Sequence, residues 1–70
     1  MEEIKKLSIV IDHWIEHNQS HMEEYKKWAQ TASDLGLEKV SAEIEKAVEM
    51  LFQSNRHLEQ ARKSIREPLS

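Results

Sequence analysis

Ser33-Asp34-Leu35-Gly36-Leu37 is the stretch that breaks a helical pattern running to either side of it. Gly36 is the sole glycine of the chain, and glycine takes the left-handed conformation that closes a helix at little cost because it has no Cβ. Leu37 follows, where an apolar residue commonly packs back on the last helical turn. The segment reads as a tight turn over roughly residues 34–37 joining two helices, and the rest of the fold follows from it.

Upstream of the turn, Ile4, Leu7, Ile11, Trp14, Tyr25, Trp28, Ala32 and Leu35 recur at steps that fit a helix over roughly residues 3–34. Asn18 and His21 fall on the same seam, so its middle is a polar layer between large apolar ends. Downstream, Leu37, Val40, Ile44, Ala47, Leu51, Ser54, Leu58, Ala61 and Ile65 mark a second helix over roughly residues 38–66, with Pro68 beyond its end. Glu38, Glu43 and Glu45 near its start and Arg62, Lys63 and Arg66 near its end suit the helix dipole.

Trp14, Tyr25 and Trp28 on one helix match Ala47, Ser54 and Ala61 on the other in size, as expected for an antiparallel hairpin. The fold class is therefore all-α, a two-helix hairpin forming a single domain. Ile15, Met22 and Ala29 on the first helix, with Val48 and Phe52 on the second, extend the stripe along one flank. Two helices leave that flank uncovered. Ile15, Met22, Val48 and Phe52 are thus the expected interface with a second copy, giving a homodimeric four-helix bundle.

Composition narrows the partners. The chain has 70 residues and no cysteine, so neither disulfides nor thiolate metal sites reinforce it. A chain of this length buries only about 60% of its unfolded surface, which leaves helix packing, a non-thiolate metal or oligomerisation to stabilise it. One third of the residues are charged and the formal net charge is −3. Basic residues are interspersed among acids, with no stripe to track phosphates, so nucleic acid is not an expected partner. The longest apolar stretch near the N-terminus, Ile9-Val10-Ile11, is cut by Asp12. It makes neither a signal peptide nor a membrane span, and a soluble cytoplasmic protein is expected.

Three of the four histidines form the row His13, His17, His21, with Glu24 following. Side chains four apart share a helix face at a Cβ spacing of about 5–6 Å, within reach of a common metal ion. With a turn near Leu35, residues whose numbers sum to about seventy share a height by the helix rise. His57 then stands level with His13, and Gln53 with His17. The expectation is that His13, His17 and His57 converge at one edge of the hairpin, with His21, Glu24 and Met50 along it. Imidazole and carboxylate without thiolate favour Zn, Ni or Co. Two other readings account for the same residues: Asn18 and His21 set register and oligomer state without a ligand, or the histidines act as a protonation switch.

Catalysis finds little support. There is no glycine-rich phosphate loop, no nucleophile elbow, no H-E-x-x-H, and none of the E-x-x-H pairs of carboxylate di-iron bundles. Ser20 and Ser54 lack a third group or oxyanion donors, and a non-enzyme is expected.

The run His13-Trp14-Ile15-Glu16-His17-Asn18, continuing through His21, Glu24-Tyr25 and Trp28-Ala29, resembles a pattern of small prokaryotic helical-hairpin domains of uncharacterised function. That resemblance implies a hairpin and supplies no activity. The histidine row is also similar to those of His-bearing four-helix bundles such as hemerythrins, whose full ligand set does not map here.

Overall fold

The computed structural model describes residues 2–66. Two α-helices, α1 (Glu2–Asp34) and α2 (Glu38–Arg66), pack side by side, with no strand among the described residues. Pro68 lies outside the described residues. Glu2 and Glu3 occupy the first turn of α1 and Glu38 that of α2, where acidic side chains complement the positive end of the helix dipole.

The turn is built on Gly36, whose φ of +78° lies in the left-handed region. Its N–H donates to the Ser33 carbonyl and the Leu37 N–H to the Ala32 carbonyl, both at 2.9 Å. This bond pair satisfies carbonyls that the end of α1 leaves without helical partners. The Leu37 carbonyl already accepts from Ser41 N–H at 3.0 Å, so α2 starts at once. Leu37 offers no side-chain acceptor to the first amides of α2. The Ser33 hydroxyl instead donates to the Glu38 carboxylate, 3.2 Å from each oxygen.

The helices run antiparallel, as the bonds between them show. Ser41 Oγ donates to the Ala29 carbonyl at 2.8 Å near the turn, and Arg62 Nη1 meets Asp12 Oδ1 at 2.7 Å toward the open end. Along α1 the seam consists of Ser8, Ile11, Ile15, Asn18, Met22, Tyr25, Ala29 and Ala32, all buried or half-buried. Along α2 it consists of Ser41, Ile44, Val48, Leu51, Asn55, Leu58, Arg62 and Ile65. Steps of three and four alternate on both helices, the period of a left-handed pair.

This seam differs in phase from the one expected. Ile11, Asn18, Tyr25 and Ala32 belong to both stripes, but Leu7, Trp14, His21 and Trp28 face outward on α1 and Leu35 is exposed in the turn; Val40, Ser54 and Ala61 are likewise exposed on α2. The reason is size near the turn. Ala29, Ala32 and Ser41 are all buried there, and a serine side chain reaching a backbone carbonyl of the other helix leaves no room for an indole. The flank expected to receive a second copy is accordingly the inside of the hairpin. Ile15 is only 6% exposed, and Met22 and Val48 are half-buried, while Phe52 alone of that set remains exposed.

Replacing Gly36 by alanine tests the turn. A Cβ at Gly36 would meet nothing within 4 Å, so only the backbone conformation is penalised. Urea unfolding of Gly36→Ala is expected to show a loss of about 1–2 kcal/mol, the cost of holding an L-residue in the left-handed region, with native helicity retained.

Candidate functional site

Three surfaces carry chemistry: a polar layer inside the seam, the histidine row, and an apolar strip on one broad face. The polar layer centres on Asn55, which is 5% exposed. Asn18 Nδ2 donates to Asn55 Oδ1 at 2.9 Å, and Asn55 Nδ2 donates to the Ile15 carbonyl at 3.1 Å. No buried side-chain polar atom among the described residues lacks a partner, so the layer carries no desolvation penalty from unmade bonds. Asn18 lies half-buried on the seam, with Asn55 as the partner that sequence reading missed. The signal was present in Ser41, Val48, Asn55 and Arg62, spaced by sevens, but three of those four residues are polar and do not resemble a seam.

His21, the second residue assigned to that layer, is exposed. It belongs instead to a continuous row of rings on α1. Ring centroids are 5.8 Å apart for His13 and His17, 4.5 Å for His17 and His21, and 5.8 Å for His21 and Tyr25. The tightest pair is His17 with His21, edge to face at 66°.

The expected meeting of His13, His17 and His57 does not occur. Each stands two residues after a buried one (Ile11, Ile15 and Asn55), and two helical steps rotate a side chain about 200°, to the far side of its own helix. His57 shares its outer surface with Gln53, Arg56 and Gln60 of α2. Among the described residues, no group of three His, Asp or Glu is placed to hold a metal ion. Glu24 is exposed, one turn beyond His21. Within one chain the strongest donor set is the pair His17 and His21, two of the four ligands that a tetrahedral ion takes.

The third surface is an open groove lined by Tyr25, Trp28, Val40, Ile44 and Ala47, with Lys39 and Glu43 at its rim. Trp28 is 59% exposed there, and further along α1 Trp14 is 47% exposed. The opposite edge of the hairpin is polar, lined by Lys26, Gln30, Ser33, Glu38, Ser41 and Glu45 beside Ala29.

A family model described as a domain of unknown function, DUF8180, matches residues 7–65. The chain belongs to the DUF8180 family. The matched span takes in most of both helices and the turn between them. Neither a curated protein nor a solved structure matches the DUF8180 chain. No helix among the described residues is long and apolar enough to cross a membrane.

Electrostatics adds one closure at the open end. The hydrogen bond that Arg62 donates to Asp12, and then the charge of Asp12, raise the Arg62 pKa above its ordinary value against the opposing effect of desolvation. A raised pKa on a cation contributes stability that is complete below the unfolded value and fades only as pH rises through the folded one, here far above neutrality.

The polar layer makes a specific thermodynamic prediction. Asn55→Ala leaves the Asn18 amide without its partner and removes the second hydrogen bond to the Ile15 carbonyl, and is expected to cost about 1–3 kcal/mol. The double replacement Asn18→Leu with Asn55→Leu removes both amides and is expected to cost much less, which chemical denaturation of the three proteins resolves.

Proposed function

We propose that this DUF8180 chain is a non-catalytic helical assembly module whose immediate partner is a second copy of itself. The observation that supports this reading is a strip of large residues at seven-residue spacing on α1. Leu7, Trp14, Trp28 and Leu35 lie between 47% and 70% exposed, and His21 holds the middle position. Beside it on α2 runs a second strip of the same spacing, Val40, Ala47, Ser54 and Ala61. The groove joining Trp28 to Val40 and Ala47 puts both strips on one face.

The balance of burial favours covering that face. Among the described residues, the fully buried apolar side chains inside the hairpin are Ile11, Ile15, Ala29 and Ala32, two of them alanines, with Met22, Tyr25, Ile44, Val48, Leu51, Leu58 and Ile65 half-buried beside them. Outside stand two tryptophans and a run of aliphatic residues. Burying a large apolar side chain is worth about 1.5–3 kcal/mol, and Leu7, Trp14, Trp28 and Leu35, about half or more exposed, leave part of that gain unrealised until something covers them. The Cα envelope measures 52 × 19 × 11 Å, and a broad face of that size matches the roughly 800 Å² per partner of a standard interface. Stacking two such faces gives a four-helix bundle.

Sedimentation equilibrium of the chain in chelator tests the reading. A dimer is expected for the native sequence and for Phe52→Glu, which changes an exposed residue outside both strips. Trp14→Glu with Trp28→Glu is expected to be monomeric. A monomeric native chain at high micromolar concentration, or a dimer indifferent to both tryptophans, would end it.

A further inference from the structure

We propose that two copies pair about a twofold axis level with His21, and that His17 and His21 of both copies close around one divalent transition-metal ion with Glu24 of each copy beside it. This rests on the self-association reading and adds its geometry and its ligand. The α1 strip, Leu7, Trp14, His21, Trp28, Leu35, reads identically in both directions. A strip of that kind is complementary to itself when two copies run antiparallel, with Trp14 of one against Trp28 of the other and His21 meeting His21. A self-complementary patch is what a twofold interface requires.

The second helix shares the axis. Residues bonded across the hairpin are Ala29 with Ser41, Ile15 and Asn18 with Asn55, and Asp12 with Arg62. By that correspondence, His21 stands level with the stretch of α2 midway between Ala47 and Ser54. That point is also the centre of the strip Val40, Ala47, Ser54, Ala61. One axis perpendicular to the helices therefore brings α1 onto α1 and α2 onto α2, and the small residues of the α2 strip allow close approach.

Charge agrees along both outer edges. His17 precedes His21 by four residues and Glu24 follows it by three, so the axis sets His17 of one copy beside Glu24 of the other. On α2, Glu43 and His57 lie seven residues to either side of Met50. The same axis sets Glu43, whose ion pair within the chain is an exposed one with Lys46, beside His57 of the second copy. Each edge joins a carboxylate to an imidazole.

The metal follows from what one chain lacks. His17 and His21 have ring centroids 4.5 Å apart, yet the described residues of a single chain offer no third ligand. The second copy supplies its own His21 at the same level, and its His17 and one further carboxylate, Glu24, about one turn away. Four-coordinate nitrogen ligation with carboxylate nearby suits Zn²⁺, Co²⁺ or Ni²⁺.

Calorimetric titration of the metal-free protein with Zn²⁺, and the visible absorption of its Co²⁺ form, test this. Expected are one ion per two chains, a tetrahedral Co²⁺ spectrum, and a loss of more than about 100-fold in affinity for His17→Ala and for His21→Ala, beyond what an outer-shell change costs. His21→Leu is expected to stay dimeric without metal, and His13→Ala to bind as the native chain does. A chelated dimer that binds no metal, or binds equally after loss of His17 and His21, overturns the site while leaving the assembly intact. One ion per chain, or binding that survives in monomeric Trp14→Glu, Trp28→Glu protein, overturns its placement on the axis. A chain monomeric with and without metal overturns the assembly and the site together.

Discussion

The Asn55 amide decides which side of each helix faces inward. It accepts from Asn18 and donates to the Ile15 carbonyl, so it is satisfied only if its own helix presents it to α1 at that height and rotation. A buried amide without partners costs more than most apolar contacts return. Once Asn55 is inside, Ser41, Val48 and Arg62 must follow at seven-residue intervals, and on α1 Ile15, Met22 and Ala29 must meet them. Everything outward is then determined too, including the tryptophans and the histidines.

The hairpin itself was legible because its signals were local. One glycine in a chain of regular apolar period marks a turn, and Gly36 has the positive φ that such a turn demands. Rotation of the helices was not legible. Two stripes run along α1 and share Ile11, Asn18, Tyr25 and Ala32, and the larger residues lie on the stripe that faces out. Hydrophobicity alone therefore favours the wrong one. The correct one is chosen by small residues near the turn and by polar residues that satisfy one another across the seam, which is a property of pairs and not of positions.

The histidines show the same limit. Their spacing along α1 was legible and the ring contacts follow it, with His17 and His21 nearest. Their relation to His57 depended on the rotation of both helices, and an error of one helical position turned a predicted cluster into residues on separate outer surfaces. Conversely, the rotation that scatters His13 and His57 places His21 at the centre of the exposed apolar strip. A polar ring there is out of keeping with its neighbours unless something contacts it.

The shortness of the turn has a further effect on which shapes this chain can adopt. Ala32 and Ser41, which end and resume the inner seam at the turn, are nine residues apart, and Leu35 and Val40 of the outer strips are five apart, whereas steps of three and four prevail along each helix. In an uninterrupted helix, nine and five residues rotate a side chain about 180° and 140° from its starting direction. If the turn straightened into a continuous rod, neither the inner seam nor the outer strip of α1 would line up with its continuation on α2. The extended form would have no unbroken apolar line along which to pair. The spacing at the turn thus disfavours an exchanged, rod-like dimer through pattern alone, and only the folded-back chain brings its apolar stripes into line.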